Sequence, residues 1–372
     1  METILERISY LRRGKTLVVD RNNSNRYRIV VQEPGTSKTA YYFSTPIYNH
    51  GTGKLIDLCF GCDGSQTVLT GSNAQIRIGE SVWMRNERGA CEIKLHLSPG
   101  VIDGNKLSCG NAVVFPTTNG VALRAEVDGP LPVEIEVENP FFGVRGNDRY
   151  FALMDGEFRP FIVLSCIGVV NSVNRVIAST KITYERVSGQ FYRVTIIPSE
   201  AGLVLFEVNL YEQKLIQDTT VESANPSVNN AFGSAAFVGN TDDFGEQWLY
   251  ARLDQSKMPE LMGKEINRAI LHMPLLSKEA APCMAQSVSF RFCSVGSTWD
   301  NKVSPSGWRA DIAANSTFLS LDISTLIANP RTGLLTPSDG FVIKGKPGAV
   351  GATVISTADS YFAPQILEVN YR

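Results

Sequence analysis

Hydrophobic and polar residues alternate along much of this chain, in short runs. The clearest runs are Glu92–Leu97 and Val133–Glu138, in which every second residue is apolar. Side chains two residues apart lie on the same face of a strand, so each run predicts a strand with one buried face and one wet face. Strands of this kind are typical of antiparallel sheets.

The run from Phe161 to Val170 is different because it is apolar apart from Ser165 and Gly168. It has about half the length that a membrane-spanning helix needs. We therefore predict a strand that is buried on both faces, and no membrane insertion.

Turn-forming residues separate the strand-like runs at short and regular intervals. Examples are Gly71-Ser72-Asn73 and Asp103-Gly104. Short strands at even spacing, with turn clusters between them, are typical of β-sandwiches and barrels. The predicted fold class is all-β, with two or three β-sandwich domains in tandem.

Domain boundaries are placed where the turn signals and the strand pattern change. Residues 1–35 are expected to form an N-terminal arm or the first hairpin of the next domain, and residues 36–120 a β-sandwich. Residues 121–216, with about seven strands, have the size of an immunoglobulin-like sandwich. The alternative that 36–216 is one larger domain stays open. Residues 217–372 form the last domain.

Composition narrows the choice of partners. The 372 residues are enough for two or three domains with full cores. With 43% hydrophobic and 19% charged residues, the chain has an ordinary globular balance. The net charge of −2 argues against nucleic acid as a partner, because phosphate binding requires a clustered excess of Lys and Arg.

The first residues and the cysteines indicate the cellular compartment. Acidic residues and arginines interrupt the apolar residues of Met1–Lys15, which is unlike a signal peptide. Seven cysteines at irregular spacing favour reduced, buried thiols, and Cys59-x-x-Cys62 lacks the second pair of a zinc site. We expect synthesis in the cytoplasm, with release by lysis as one route to a particle surface or the cell exterior.

The C-terminal segment contains a series of motifs in a recognisable order. It opens with Asp218-Thr219, Asn225-Pro226, Asn229, Phe232-Gly233 and Val238-Gly239-Asn240. Later segments follow at Gln247–Asp254, Glu265–Met273, Ser297–Trp299, Phe318–Ile327, Gly340–Lys344 and Ala363–Tyr371. Residues 217–372 thus resemble a DNRLRE-type domain.

The resemblance implies a jelly-roll β-sandwich, found on microbial surface proteins and counted among carbohydrate-binding modules. It therefore implies binding rather than catalysis, with a polysaccharide or cell-surface glycan as the expected partner. In the segment that resembles the family's "D-V-T-x-L-V" motif, Asp322 or Ser324 is expected to cap a one-turn helix.

Aromatic residues in loops are the expected sugar platform, because a pyranose offers an apolar face to a ring. Trp308 follows Pro305-Ser306-Gly307 and is predicted to lie in a turn-like loop, where its removal would weaken binding at little cost in stability. Tyr361 and Phe362 are similarly placed. Trp248 and Trp299 lie in the family-like segments and are expected in the core.

Asp242, Asp243 and Glu246 form an oxygen-rich stretch that would suit calcium, a hard cation that takes six to eight oxygen ligands. Adjacent acidic residues in a turn are also commonly just solvated. No other cofactor is expected.

The sequence contains no nucleophile elbow, zinc-protease motif, phosphate-binding loop or dinucleotide fingerprint. We therefore expect a binding protein rather than an enzyme, for example a surface adhesin of a phage or phage-tail-like particle. The alternative is a purely architectural coat, decoration, collar or fibre component. In both cases the expected partners include other particle subunits, and the chain is expected to form a homo-oligomer.

Overall fold

The computed structural model describes residues 4–13, 15, 18–20, 24, 27–48, 55–63, 66–95, 97–138, 143–212, 214–329, 331–336 and 339–372. Strands account for 56% and helices for 5% of the structure, which confirms the all-β prediction. Among the described residues, no helix combines the length and the apolar character needed to cross a membrane.

The chain divides into two compact units. Unit 1 comprises Asn49–Gln213 with Phe232–Ala235. Unit 2 comprises Glu2–Tyr48, Lys214–Ala231 and Ala236–Arg372. The two units do not follow the order of the chain, because residues from both ends of the sequence build unit 2.

Two antiparallel sheets form unit 1, with strands numbered in chain order through the whole protein. Sheet 1 contains β8 (Val101–Asp103), β9 (Lys106–Cys109), β10 (Ala112–Pro116), β11 (Gly120–Val127), β13 (Gly143–Gly146), β14 (Tyr150–Met154), β15 (Pro160–Val170), β16 (Val176–Ala178) and β19 (Gly202–Leu210). Sheet 2 contains β3 (Cys59–Asp63), β4 (Gln66–Thr70), β5 (Gln75–Ile78), β6 (Ser81–Asn86), β7 (Gly89–Lys94), β12 (Leu131–Val137), β17 (Thr180–Ser188) and β18 (Phe191–Pro198).

Two further antiparallel sheets form unit 2. Sheet 3 contains β1 (Arg28–Gln32), β2 (Lys38–Phe43), β23 (Ile266–Pro274), β26 (Ala313–Ala314), β27 (Phe318–Asp322) and β30 (Ile366–Tyr371). Sheet 4 contains β20 (Ile216–Glu222), β21 (Ala235–Thr241), β22 (Gly245–Leu253), β24 (Cys283–Val288), β25 (Pro305–Asp311), β28 (Phe341–Gly345) and β29 (Ala352–Ser356). The helices are α1 (Ile4–Leu11) and α2 (Ser324–Ile327), with 3-10 turns at Gln255–Lys257 and Pro259–Leu261.

The two sheets of unit 1 share a hydrophobic core. Val82 and Ile93 of sheet 2 belong to the same buried cluster as Phe206 and Val208 of sheet 1. Strands from before and after residue 120 occur in both sheets. The two halves of this unit therefore fold around common apolar residues.

The predicted doubly buried strand is confirmed as β15, in which every residue is buried. A register shift between Cys166 and Gly168 interrupts its pairing with β19. Gly168 has a φ of +148°, and a Cβ atom there would lie 2.7 Å from the carbonyl oxygen of Ala178. Glycine is therefore required where this long strand bends.

The N-terminal strands complete sheet 3 of unit 2. β2 pairs on one side with β1 and on the other with β30, the last strand of the chain, in a register that sets Thr39 opposite Asn370. Val30 and Tyr42 from these strands are completely buried in the main core of unit 2, together with Leu271 and Leu367. The N-terminal segment is thus an integral part of this core.

The short helices α1 and α2 belong to unit 2. In α1, Ile8 is completely buried, and Arg12 just after the helix forms an ion pair of 2.5 Å with Glu33. The predicted one-turn helix occurs as α2, but its N-cap position is Ile323, which makes no side-chain cap hydrogen bond. Asp322, one residue earlier, accepts a hydrogen bond of 2.9 Å from the backbone N–H of Ser324, the first helical residue.

All seven cysteines are free. Cys91, Cys109, Cys166 and Cys283 are buried, whereas Cys59, Cys62 and Cys293 are exposed. Burial raises the pKa of the Cys166 thiol to about 12, so this group stays protonated at neutral pH.

Deleting residues 1–48 should selectively destabilise unit 2. The deletion removes β1 and β2, exposes the hydrogen-bonding edge of β30, and takes apolar side chains out of the main core. In hydrogen–deuterium exchange followed by mass spectrometry, we expect the amides of β23 and β30 to lose protection while those of β11, β15 and β19 keep it. Unchanged protection of β30 would show that the N-terminal strands are dispensable.

Candidate functional site

Trp308 lies on a strand, not in the loop that the sequence predicted. It belongs to β25, an edge strand of sheet 4, where it is half-buried and packs against the main core of unit 2. The turn-like sequence before it forms an irregular stretch of strand, with a register shift opposite Gln286 and Ser287 and a φ of +55° at Gly307. The glycine marks a bulge within the strand rather than its end.

Tyr361 and Phe362 lie in the connection from β29 to β30. Tyr361 is only 4% exposed, and the Nζ atom of Lys214 lies 3.2 Å from its ring centroid. Phe362 is half-buried, and its carbonyl oxygen accepts a long hydrogen bond of 3.4 Å from Arg7. Trp308 lies on β25, an edge strand of sheet 4, whereas Tyr361 and Phe362 lie in the connection between sheets 4 and 3, and Tyr361 is too buried to serve as a platform.

The three predicted calcium ligands lie around the turn between β21 and β22. Asp242 and Asp243 are exposed in the turn itself, and the carboxylate of Glu246 accepts a hydrogen bond of 2.7 Å from the indole N–H of Trp248. Within the described residues, which include all three, no three His, Cys, Asp or Glu side chains form a group that would hold a metal ion.

Aromatic side chains meet on the face of sheet 4 that points away from the main core, where they form what we call the aromatic cluster: Trp248, Tyr250, Phe292 and Trp299. The indole centroids of Trp248 and Trp299 are 5.1 Å apart, and the rings are tilted by 59°. Tyr250 and Phe292 are buried, whereas both tryptophans are half-buried. The tryptophan pair is therefore the accessible part of the cluster.

The alternation of β22 explains how the cluster forms. Leu249 and Ala251 point into the main core, so Trp248 and Tyr250 point to the opposite face. The connection between β24 and β25, residues 289–304, packs onto this face, where the Tyr250 hydroxyl donates a hydrogen bond of 2.7 Å to the carbonyl oxygen of Val303.

Two lysines lie beside the tryptophan pair. The Nζ atom of Lys302 is 3.9 Å from the Trp299 ring centroid and 5.5 Å from that of Trp248. The Nζ atom of Lys344 is 5.0 Å from the Trp248 centroid. Burial lowers the pKa of Lys344, the Glu246 carboxylate opposes this change, and the guanidinium of Arg309 adds to it.

The arrangement combines indole surface, ammonium donors and a carboxylate acceptor within one patch. This is the set of groups that sugar recognition requires, because ring hydroxyls need hydrogen-bond partners and the ring C–H face packs on aromatic carbon. Both tryptophans were expected in the core; they pack against a buried cluster but keep part of their surface exposed. The signal was present in the strand Gln247–Leu253, where Trp248 and Tyr250 are out of phase with the aliphatic residues.

A pair of buried carboxyl groups lies elsewhere in unit 2. Asp218 and Asp359 are 3% and 9% exposed and are hydrogen-bonded to each other. The Asp218 carboxyl also accepts a hydrogen bond of 2.6 Å from the backbone N–H of Ala358. Burial raises the pKa of Asp218 well above its ordinary value, Asp359 raises it further, and Lys214 opposes both. The burial of both carboxyl groups leaves little access for a substrate.

His272 forms a row with Ser320 and Glu368 across three strands of sheet 3. Its Nδ1 atom is 2.9 Å from the Ser320 hydroxyl and its Nε2 atom is 3.4 Å from the Glu368 carboxylate. The imidazole is only 7% exposed, and Ser320 lies within a paired strand, where backbone N–H groups bond to neighbouring strands instead of a substrate oxyanion. Ser320 and Glu368 therefore provide polar partners for the two nitrogens of a buried imidazole, and the arrangement does not have the form of a hydrolase site.

Comparisons with known proteins leave the family open. No family model matches this chain, and no curated protein matches it. The DNRLRE resemblance therefore rests on the motifs and on the strands that carry them.

Trp308→Ala should reduce stability, contrary to the expectation for a loop residue. The half-buried ring packs against the main core, so we expect the free energy of unfolding of unit 2 to fall by roughly 1–3 kcal/mol. Urea unfolding followed by circular dichroism measures this loss. The matched control is Phe290→Ala, since Phe290 is 74% exposed. Equal, small effects of the two substitutions would show that Trp308 contributes no packing.

Asp218→Asn should stabilise the protein, and more at neutral than at acidic pH. A carboxyl whose pKa is raised by folding binds more protons in the folded state, so its stabilising contribution is complete below the unfolded pKa of about 3.9 and is lost as the pH rises towards the folded pKa. Asparagine keeps an acceptor for Ala358 and has no charge to bury. We therefore expect the gain in unfolding free energy to increase between about pH 4 and pH 7.

Urea unfolding at a series of pH values tests this pH dependence. The control is Asp242→Asn, because Asp242 is an exposed acidic residue of the same unit. A gain for Asp218→Asn that is the same at every pH would contradict the raised pKa.

Proposed function

We propose that this is a non-enzymatic binding protein whose unit 2 recognises a polysaccharide at the Trp248–Trp299 pair. The observation that carries the proposal is the pairing of two half-exposed indoles with Lys302 and Lys344 on the outer face of a sheet. Part of each indole stays solvent-accessible on this face, which leaves ring surface for contact with a ligand.

The strand positions agree with the DNRLRE resemblance. The segments that carry it coincide with β22, β23, β27, β28 and β30, and the helix-like motif coincides with α2. Both tryptophans of the pair also lie in segments that resemble the family. The resemblance supports a carbohydrate-binding module in this part of the chain.

The charges beside the rings favour an acidic glycan. Lys302 and Lys344 place ammonium groups within a few ångströms of the indole surface. Lys302 donates one hydrogen bond of 3.0 Å to the carbonyl oxygen of Trp299 and keeps further N–H donors. Glu246 accepts a hydrogen bond from the Trp248 indole N–H. Carboxylate or sulfate groups on a sugar would pair with the ammonium groups while the sugar ring packs on the indoles. Acidic polysaccharides are common cell-surface polymers, which fits a surface adhesin on a phage or phage-tail-like particle.

Binding of the full-length chain to an array of acidic and neutral polysaccharides tests the proposal. We expect retention on acidic polysaccharides, and a loss of at least about tenfold in affinity, or roughly 1.4 kcal/mol, for Lys302→Glu and for Trp248→Ala. The control is Lys278→Glu, which makes the same charge change at an exposed lysine of unit 2.

Two outcomes would contradict this function. One is a wild-type chain that binds no acidic polysaccharide, which would leave the architectural role in a particle as the better explanation. The other is an equal loss of binding in the Lys302 and Lys278 variants, because that result would reflect net charge rather than a site.

A further inference from the structure

Unit 1 contains a polar pocket on the wet face of sheet 2. Its volume is about 290 Å³, and its lining residues are Gln66, Arg77, Gly79, Glu80, Ser81, Trp83 and Glu92. This volume is close to the lower end of the range of roughly 300–1,000 Å³ that is typical of small-ligand sites. The pocket therefore suits a ligand the size of a sugar ring or two, rather than a large cofactor.

The strand alternation of sheet 2 places the pocket residues on one face. In β5 and β6, Ile76, Ile78, Val82 and Met84 point into the core of unit 1. Trp83 is out of phase with them and is half-buried on the opposite face. The register sets Trp83 beside Arg77 of β5 and beside Glu92 of β7.

Trp83 is not needed for the core, since the apolar residues of the same strand fill that role. The Arg77 guanidinium lies beside the Trp83 indole, and its central carbon is 5.3 Å from the ring centroid. Trp83 places a large ring on the polar face of the strand, in the wall of the pocket, where part of its surface stays accessible to a ligand.

The polar groups around Trp83 can both donate and accept hydrogen bonds. Arg77 donates, the Glu80 and Glu92 carboxylates accept, and the Gln66 amide does both. The Ser81 hydroxyl donates to the Glu92 carboxylate, which fixes the position of that acceptor. Such groups match the rim of hydroxyls on a pyranose, and the indole matches its apolar face.

The charge of the pocket selects between classes of sugar. Two carboxylates and one guanidinium line it, so an acidic sugar would face more negative than positive charge. A neutral sugar avoids this repulsion and can use all three charged groups as hydrogen-bond partners.

We infer that unit 1 carries a second binding site, the pocket around Trp83, which takes a neutral pyranose unit of a glycan. The site differs from the tryptophan pair of unit 2 in its residues, in its unit and in the charge of its ligand. The inference does not depend on the polysaccharide site proposed for unit 2.

The test is an array of neutral hexose and N-acetylhexosamine oligosaccharides next to uronic-acid oligosaccharides, followed by calorimetric titration with the neutral oligosaccharide that is retained most strongly. We expect the full-length chain to bind neutral oligosaccharides. Trp83→Ala and Glu92→Gln should each weaken this binding by at least about tenfold. The same variants should leave binding of acidic polysaccharides unchanged.

Two controls keep the test specific. Gln75→Ala changes an exposed residue on the same strand and the same face as Arg77 but outside the pocket lining, and it should bind like the wild type. Trp83→Tyr keeps a ring and should retain most of the affinity, which separates a lost platform from a damaged fold. The inference is overturned if the wild-type chain binds no neutral oligosaccharide, or if Trp83→Ala binds as well as Gln75→Ala.

Discussion

The pairing of β2 with β30 is the contact on which unit 2 depends. It joins residues 38–43 to residues 366–371, near the two ends of the described chain, through a full antiparallel ladder. The hydroxyl of Thr39 also accepts a hydrogen bond of 3.1 Å from the Asn370 amide. Closing a loop of this length costs conformational entropy that grows only slowly with length. The buried area gained in the main core of unit 2 offsets this cost.

This pairing also determines how the rest of the chain is organised. Because β2 and β30 are neighbours in one sheet, the whole of Asn49–Gln213 is an insertion between strands of unit 2. An inserted unit can fold within another unit only if it has its own core. Unit 1 meets that condition, because its two sheets share a buried hydrophobic cluster. Contacts between such distant residues also favour slow folding, since the loop has to close before the strands can pair.

The sequence predicted the strands far better than their partners. Alternation correctly indicated β7 and β12, the continuous apolar run indicated β15, and an aspartate before a short apolar segment indicated α2. Each of these signals is local. Strand pairing depends on surfaces that are distant in sequence, so the contribution of residues 38–43 to sheet 3, beside the C-terminal strand, has no local signal. Trp308 was predicted in a loop because Pro305-Ser306-Gly307 is typical of a turn, whereas a bulge also accommodates it.

The two candidate sites show why aromatic residues alone do not identify a ligand. In both, strand alternation places a tryptophan on the polar face of a sheet, beside a charged neighbour at hydrogen-bonding or cation–π distance. The ring supplies contact area that almost any sugar can use. The charges beside it differ, because lysines dominate next to Trp248 and carboxylates next to Trp83. If both sites bind glycans as proposed, the charged side chains around each ring determine which class of glycan is favoured.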